Sequence, residues 1–192
     1  MKVTLVDYTQ DPENAIGHHS AICYGAKTDR ESNIKRARHC KDKGHLATLR
    51  FAYATVHIEG ISRVCSHQLV RIAHAGILQE SQRYVEQTIL EYVVPEFIRT
   101  APESLQKEWF YSLAHAERTY KLAIESGMKK EDARYILPQS CTTKINLCMN
   151  FQGWRDFLKN RTSKSAQWEI RELAIEIERQ LAGIAPGIFG NG

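Results

Sequence analysis

The sequence predicts a single α+β domain, on three observations. A β-branched and aromatic run from Leu49 to Ile58 reads as a strand. Leu105, Trp109, Leu113, Ala116, Tyr120 and Ala123 recur at helical spacing between Pro102 and Ser126, and Gly127 closes that helix. Strand and helix patterns interleave along 192 residues, 43% of them hydrophobic, with no repeat, low-complexity segment or linker. That length suits one domain with a substantial core.

The elements follow in order. Val3 to Tyr8 is a short strand, stopped by Asp11-Pro12. A helix follows with Asp11 as N-cap and Pro12 at its first position, carrying Ala15, Ile16, Ala21, Ile22 and Tyr24 to Gly25. Asp29 to Lys43 is a second helix closed by Gly44, and His45 sits on the turn after it. In the strand Leu49 to Ile58, alternation puts Leu49, Phe51, Tyr53, Thr55 and His57 on one face. Ile61, Val64, Cys65, Leu69 and Ile72 recur at roughly helical spacing and predict a helix over 61–73, which exits at Ala75-Gly76. Thr88 to Val94 reads as a strand stopped by Pro95, Lys130 to Ile136 as a short helix broken before Pro138, and Thr142 to Met149 as a strand. Helices over Asn150–Asn160 and Ser163–Leu181 complete the chain, the last burying Ile170, Leu173, Ile177 and Leu181.

Composition removes several classes. The net charge of +4 suits small anionic ligands as well as RNA, and the densest basic patch, Ile34 to Lys43, reads as a solvated helix face. Five cysteines without a C-x-x-C pair indicate neither a disulfide framework nor a zinc site, and fit a reducing cytoplasm. Eight histidines make no H-E-x-x-H pattern, so no metal is expected. Met1 to Asp11 lacks the apolar core of a signal peptide, and no apolar run is long enough to span a bilayer. Nucleic-acid and membrane partners are not expected.

The chemistry concentrates between Ser62 and Val85. Arg63, Arg71 and Arg83, the amides Gln68, Gln79 and Gln82, Ser81 and Tyr84 share that span. The expected helix puts Gln68 and Arg71 on one face, and a loop carries Gln79, Ser81, Arg83 and Tyr84. Forked guanidiniums with amides and a hydroxyl suit a planar, anionic ligand, because arginine pairs bidentately with phosphate or carbonyl oxygens. Cys65 has no identifiable base beside it and reads as a small core residue. Trp109 and Trp168 read as core.

The same span resembles the flavin-dependent thymidylate synthases, whose signature is Arg-His-Arg, seven residues, then Ser, usually followed by Gln-Arg-Tyr. Here Arg71 and Ser81-Gln82-Arg83-Tyr84 keep the frame, while Ile72 and Ala73 stand at the second and third positions. IEGISRVCSHQLVR upstream is also similar to the family. GHLATLRF (44–51) keeps His45 of a Gly-His, small residue, Leu-Glu-His segment but has Arg50-Phe51 for Glu-His. ICYGAKT has Gly25 where the family has serine, EDARYILP keeps Arg134, and AQWEIR (166–171) matches without change. MNFQGWRDFLKNR keeps Asn150 and Arg161, with Gln152 at an arginine position and Asp156 where His or Asn is usual.

The resemblance covers most of the chain and implies a mixed or antiparallel sheet packed by long helices. It places Gln68, Arg71, Gln79, Ser81, Gln82, Arg83, Arg134 and Arg161 at a pyrimidine nucleoside monophosphate, with Arg161 the catalytic group that polarises the ring. It places Gly25, His45, Ala47, Arg50, Arg71, Ile72, Ala73, His74, Asn150, Gln152 and Asp156 around FAD. For His45 and His74 a local hydrogen-bonding role stands equally open. On these positions the nucleotide site is retained and the flavin site rebuilt. The implied activity is C5-methylation of dUMP to dTMP with methylenetetrahydrofolate and NADPH as co-substrates, in a cytoplasmic homotetramer. Two alternatives stay open: a relative that methylates or hydroxymethylates UMP or dCMP, and a non-catalytic nucleotide binder.

Overall fold

A computed structural model describes residues 1–87 and 90–190. In chain order these form β1 (Lys2–Tyr8), α1 (Pro12–Ala21), a 3-10 turn (Ile22–Tyr24), α2 (Arg30–Asp42), a 3-10 segment (Leu46–Phe51), β2 (Tyr53–Ser62), α3 (Arg63–Leu69) and β3 (Gly76–Gln79). Then come α4 (Glu96–Thr100), α5 (Glu103–Glu125), α6 (Lys130–Ala133), a 3-10 turn (Arg134–Ile136), β4 (Thr142–Asn150), α7 (Phe151–Arg161), α8 (Trp168–Ile184) and α9 (Pro186–Phe189). Among the described residues the strands make an antiparallel sheet in the order β1-β2-β4-β3. The class is α+β, as expected.

The chain divides into two compact units, one of residues 1–58, 70–78 and 146–192, the other of residues 59–69 and 79–145. In the first, α1 lies close against α2: a Cβ on Gly17 would collide with the Asn33 carbonyl, so only glycine permits this approach. Glu13, buried on α1, takes a hydrogen bond from the Gly187 N–H at 2.7 Å and from Arg38 Nε at 2.8 Å, tying α1 to α9 and α2. The core gathers Ala54, Val56 and Ile58 of β2 with Leu147 of β4, Trp154 of α7 and the α8 stripe Ile170, Leu173, Ile177 and Leu181. Trp154 is fully buried and donates Nε1–H to the Ala54 carbonyl at 3.0 Å, so its one polar atom is satisfied. In the second unit the buried residues include Ile61, Cys65 and Leu69, Leu113 and Tyr120 of α5, Ala133, Cys141 and Ile145.

Several boundaries differ from expectation. The strand predicted over 49–58 is β2, shifted toward the C-terminus; Leu46–Phe51 winds instead as a 3-10 segment that buries Leu49 and exposes Phe51. The helix predicted over 61–73 shortens to α3, because Ile61 and Ser62 finish β2 and the Ser62 hydroxyl takes the Cys65 N–H at 3.0 Å, starting the helix there. Gln79 lies at the end of β3 rather than in a loop, and Arg71 lies in a turn beyond the helix. Asp11 precedes α1 in a left-handed conformation (φ 46°) without a side-chain cap; its carboxylate is taken by Arg30 at 2.6 and 3.0 Å. The helix predicted from Ser163 starts at Trp168, where the Gln167 side chain takes the Glu169 and Ile170 N–H groups. Trp109 and Trp168 are half-buried, not core. Of the expected strand Thr88–Val94, residues 88 and 89 lie outside the described residues; Tyr92 makes a single antiparallel bridge to Cys141.

Candidate functional site

The residues expected at the nucleotide fall mainly in the second unit, which holds Gln68, Gln79, Ser81, Gln82, Arg83 and Arg134. Its centre is Arg63, the first residue of α3, for which residue spacing along the chain gives no role. The half-buried guanidinium donates from Nη2 to Gln82 Oε1 at 3.1 Å and from Nη1 to Thr143 Oγ1 at 3.3 Å and the Glu80 carbonyl at 3.4 Å. Burial, then the neighbouring Arg134 guanidinium, lowers its pKa from the usual arginine range. Gln79 Nε2 donates to Ser66 Oγ at 2.9 Å and to Thr143 Oγ1 at 3.3 Å. The Glu80 N–H pairs with the Lys144 carbonyl at 2.9 Å, which carries residues 79–82 alongside β4 and joins the network.

Arg83 and Arg134 gather at α6. Arg83 Nε donates to Glu131 Oε2 at 2.7 Å, and Arg134 Nε donates to the Glu131 carbonyl at 3.0 Å. The Ser81 hydroxyl takes the Arg83 N–H at 3.2 Å, shaping the turn that presents the arginine. An open groove of about 390 Å³ lies here, lined by Arg83, Tyr84, Ile124, Met128, Lys129, Lys130 and Glu131. One arginine and two lysines against one carboxylate in this lining suit an anion. Gln68 is half-buried on α3.

The first unit holds the residues expected around the flavin, together with Arg71 and Arg161. His45, Ala47 and Arg50 lie at or in the 3-10 segment before β2, all exposed; His45 Nδ1 and Tyr24 OH are hydrogen-bonded at 3.2 Å. Beside Arg50, Phe51 stacks on His19 with centroids 4.8 Å apart. Arg71, Ile72, Ala73 and His74 form the turn after α3; His74 is left-handed at φ 64°, and Ile72 alone of the four is half-buried. Asn150 caps α7, its side-chain oxygen taking the Gly153 N–H at 2.8 Å. One turn on, Gln152 donates from Nε2 to Asp156 at 2.9 Å while its Oε1 is buried without a donor. Arg161, half-buried, is the last residue of α7. Gly25, left-handed at φ 55°, ends the 3-10 turn after α1.

The donor set fits a flavin dinucleotide in chemistry. Arg50 and Arg71 are exposed and have no hydrogen-bond partner among the described residues, so both charges remain to face a pyrophosphate. The buried Gln152 Oε1 is left to accept a hydrogen bond, and half-buried Ile72 offers apolar surface. No group of histidine, cysteine or acidic side chains that could hold a metal occurs among the described residues, and no described helix is long and apolar enough to cross a membrane.

Comparison with known proteins identifies the family. The family model described as thymidylate synthase complementing protein matches residues 4–187. The chain is 38% identical over 194 residues to a flavin-dependent thymidylate synthase of Pyrococcus furiosus, covering 95% of this chain and 79% of that protein. It is 37% identical over 199 residues to the protein of the same name from Geobacter sulfurreducens (98% and 85% covered) and 33% identical over 215 residues to that of Clostridium tetani (98% and 85%).

Proposed function

Because the chain belongs to the flavin-dependent thymidylate synthase family, an enzyme family of methyltransferases, we propose that it converts dUMP to dTMP by C5-methylation. Methylenetetrahydrofolate is the carbon donor and NADPH the reductant in this reading. The observation that carries it is the half-buried Arg63 guanidinium, bonded to amide, hydroxyl and carbonyl oxygens with like-charged Arg134 beside it. A cationic ledge built from neutral acceptors gains most from a dianionic ligand, because a buried charge without a counter-ion is costly.

The residues divide the work. Gln79, Ser81, Gln82, Arg83 and Arg134, with Gln68 and Arg71, bind and orient the nucleotide. Arg161 stabilises negative charge on the pyrimidine as C5 becomes nucleophilic, a role a preorganised guanidinium performs without reorganisation. No attacking cysteine is needed. FAD would be held by His45, Ala47, Arg50, Arg71, Ile72, Ala73, His74, Asn150, Gln152 and Asp156; bound, it supplies hydride and carries the one-carbon unit.

The family model spans residues of both units, which supports reading the chain as one domain. The proposed assembly is a cytoplasmic homotetramer. Exposed Phe110 and Tyr111 on α5 support a surface covered by another copy; light scattering behind size exclusion tests this. The activity is tested by assaying purified protein, reconstituted with FAD, on dUMP with methylenetetrahydrofolate and NADPH. Formation of dTMP supports the reading, and its absence with bound flavin and nucleotide overturns it.

A further inference from the structure

Arg63 takes over from the sheet where residues 79–85 leave it. The Glu80 N–H pairs with the Lys144 carbonyl of β4 at 2.9 Å, and among the described residues no later backbone bond ties this run to β4. At the next residue the chain turns. The Ser81 carbonyl receives the Tyr84 and Val85 N–H groups at 3.1 and 2.9 Å, and the Ser81 hydroxyl receives the Arg83 N–H at 3.2 Å. Between pairing and turn the Arg63 guanidinium holds the residues on both sides of Ser81, donating to the Glu80 carbonyl at 3.4 Å and to Gln82 Oε1 at 3.1 Å. Its Nη1 also donates to Thr143 Oγ1 on β4 at 3.3 Å, so one side chain links the departing run to the strand it leaves. The base of this clamp is fixed too: the Arg63 N–H pairs with the Cys141 carbonyl at 3.0 Å and the Val64 N–H with that of Gln139 at 3.2 Å.

We propose that Arg63 is a positioning residue for the anion site: it fixes the Ser81–Arg83 turn and so sets where the Ser81 hydroxyl and the Arg83 guanidinium meet the phosphate of the nucleotide. This rests on the nucleotide reading above and adds what holds its phosphate contacts in place. The geometry needs a planar fork. A guanidinium presents its N–H groups at fixed angles from one rigid plane, which lets it hold acceptors on two segments at once; an ammonium is a point charge on a flexible stem. Lysine at 63 would keep the charge and could not bridge Glu80, Gln82 and Thr143 together. None of the three bonds is short, so the effect lies in bracketing Ser81 rather than in any single contact. Hydrogen bonds weaken steeply as their angle departs from linear, so a displaced turn would lose affinity with every phosphate-binding group still present.

The test is calorimetric titration of dUMP into the full chain, into Arg63→Lys, Thr143→Val and Arg83→Ala, and into the double variant Arg63→Lys/Arg83→Ala. Arg63→Lys should weaken dUMP about ten-fold, the worth of about one hydrogen bond. Thr143→Val removes the clamp's hold on β4, should weaken dUMP in the same direction, and decides the matter if Arg63→Lys does not fold. Because Arg63 acts through the turn that carries Arg83, the lysine substitution should cost clearly less in the Arg83→Ala background than it does alone. A residue needed only for folding would instead lower the urea midpoint and the bound stoichiometry and leave Kd where it was. Unchanged Kd in Arg63→Lys therefore overturns the proposal, and so does an equal loss with and without Arg83. Where Arg63→Lys does not fold, unchanged Kd in Thr143→Val overturns it. A wild-type chain that binds no dUMP overturns the nucleotide reading and takes this inference with it.

Discussion

Arg83 and Glu131 form an ion pair in which Nε donates to Oε2 at 2.7 Å, and the Arg83 guanidinium lies 5.4 Å from the Tyr84 ring centroid. The carboxylate engages the Nε edge, so the Nη groups remain to pair with a phosphate. The pair is half exposed, at 55% and 36%, and so contributes little to folding.

Arg83→Ala should accordingly weaken nucleoside monophosphate binding by about 1.5–3 kcal/mol, the range for a charge-assisted hydrogen bond. The urea midpoint should barely move. Calorimetry is decisive: unchanged affinity for every pyrimidine monophosphate removes Arg83 from the site.

Arg161→Ala separates binding from chemistry. Nucleotide affinity should stay measurable while turnover falls by about two to three orders of magnitude, as for loss of a donor that acts on the transition state. Steady-state kinetics beside calorimetry reads both. Near-native turnover would move the polarising role elsewhere, with Arg83 the next candidate.

Cys141 gives a pH dependence with a defined sign. Burial pushes its thiol up to about 11, and the same cause pushes Tyr92, its bridge partner, to about 12. The native state therefore keeps the Cys141 proton where the unfolded chain has lost it. Stability from this group is complete below the ordinary thiol pKa and is lost as pH rises toward about 11. Urea midpoints taken in steps across that range should fall, and Cys141→Ala should fall less steeply. Equal slopes in the two proteins would assign the whole effect to other groups.

Local signals carried much of the fold. β1, α2, α5, β4 and α7 lie close to their predicted spans, because glycines at 44 and 127 and the caps Asp29 and Asn150 punctuate them. The 61–73 prediction failed because Ile61, Val64, Cys65 and Leu69 fit a helix, while the strand preceding them continues through Ser62. The short strand β3 has no alternation long enough to read. The site was legible as a list of residue types, not as a network. Arg63, Thr143 and Gln82 meet because residues 79–82 run beside β4, and no spacing along the chain encodes that pairing.

The flavin site yields the last prediction. In the proposed flavin site the signature resemblance sets Ile72 and Ala73 against a histidine and an arginine, which would take two polar groups, one fully charged, from the turn after α3. One lost charged contact weakens binding by about 1.5–3 kcal/mol, or one to two decades in affinity. Arg50 offers a positive charge from the segment before β2, and His74, held left-handed at φ 64°, offers a ring one residue further along the turn. The wild-type chain should therefore purify partly colourless and bind FAD weakly. Restoring the pair with Ile72→His and Ala73→Arg should tighten FAD by about ten- to a hundred-fold, and Arg50→Ala in the wild-type background should loosen it further. Fluorescence titration of apo-protein with FAD and FMN measures all three without depending on turnover. A yellow wild-type preparation with tight, stoichiometric FAD would show that Arg50 and His74 fully replace the missing groups. Binding of neither flavin, even after restoration, would remove flavin-dependent chemistry and leave a nucleotide site without its cofactor.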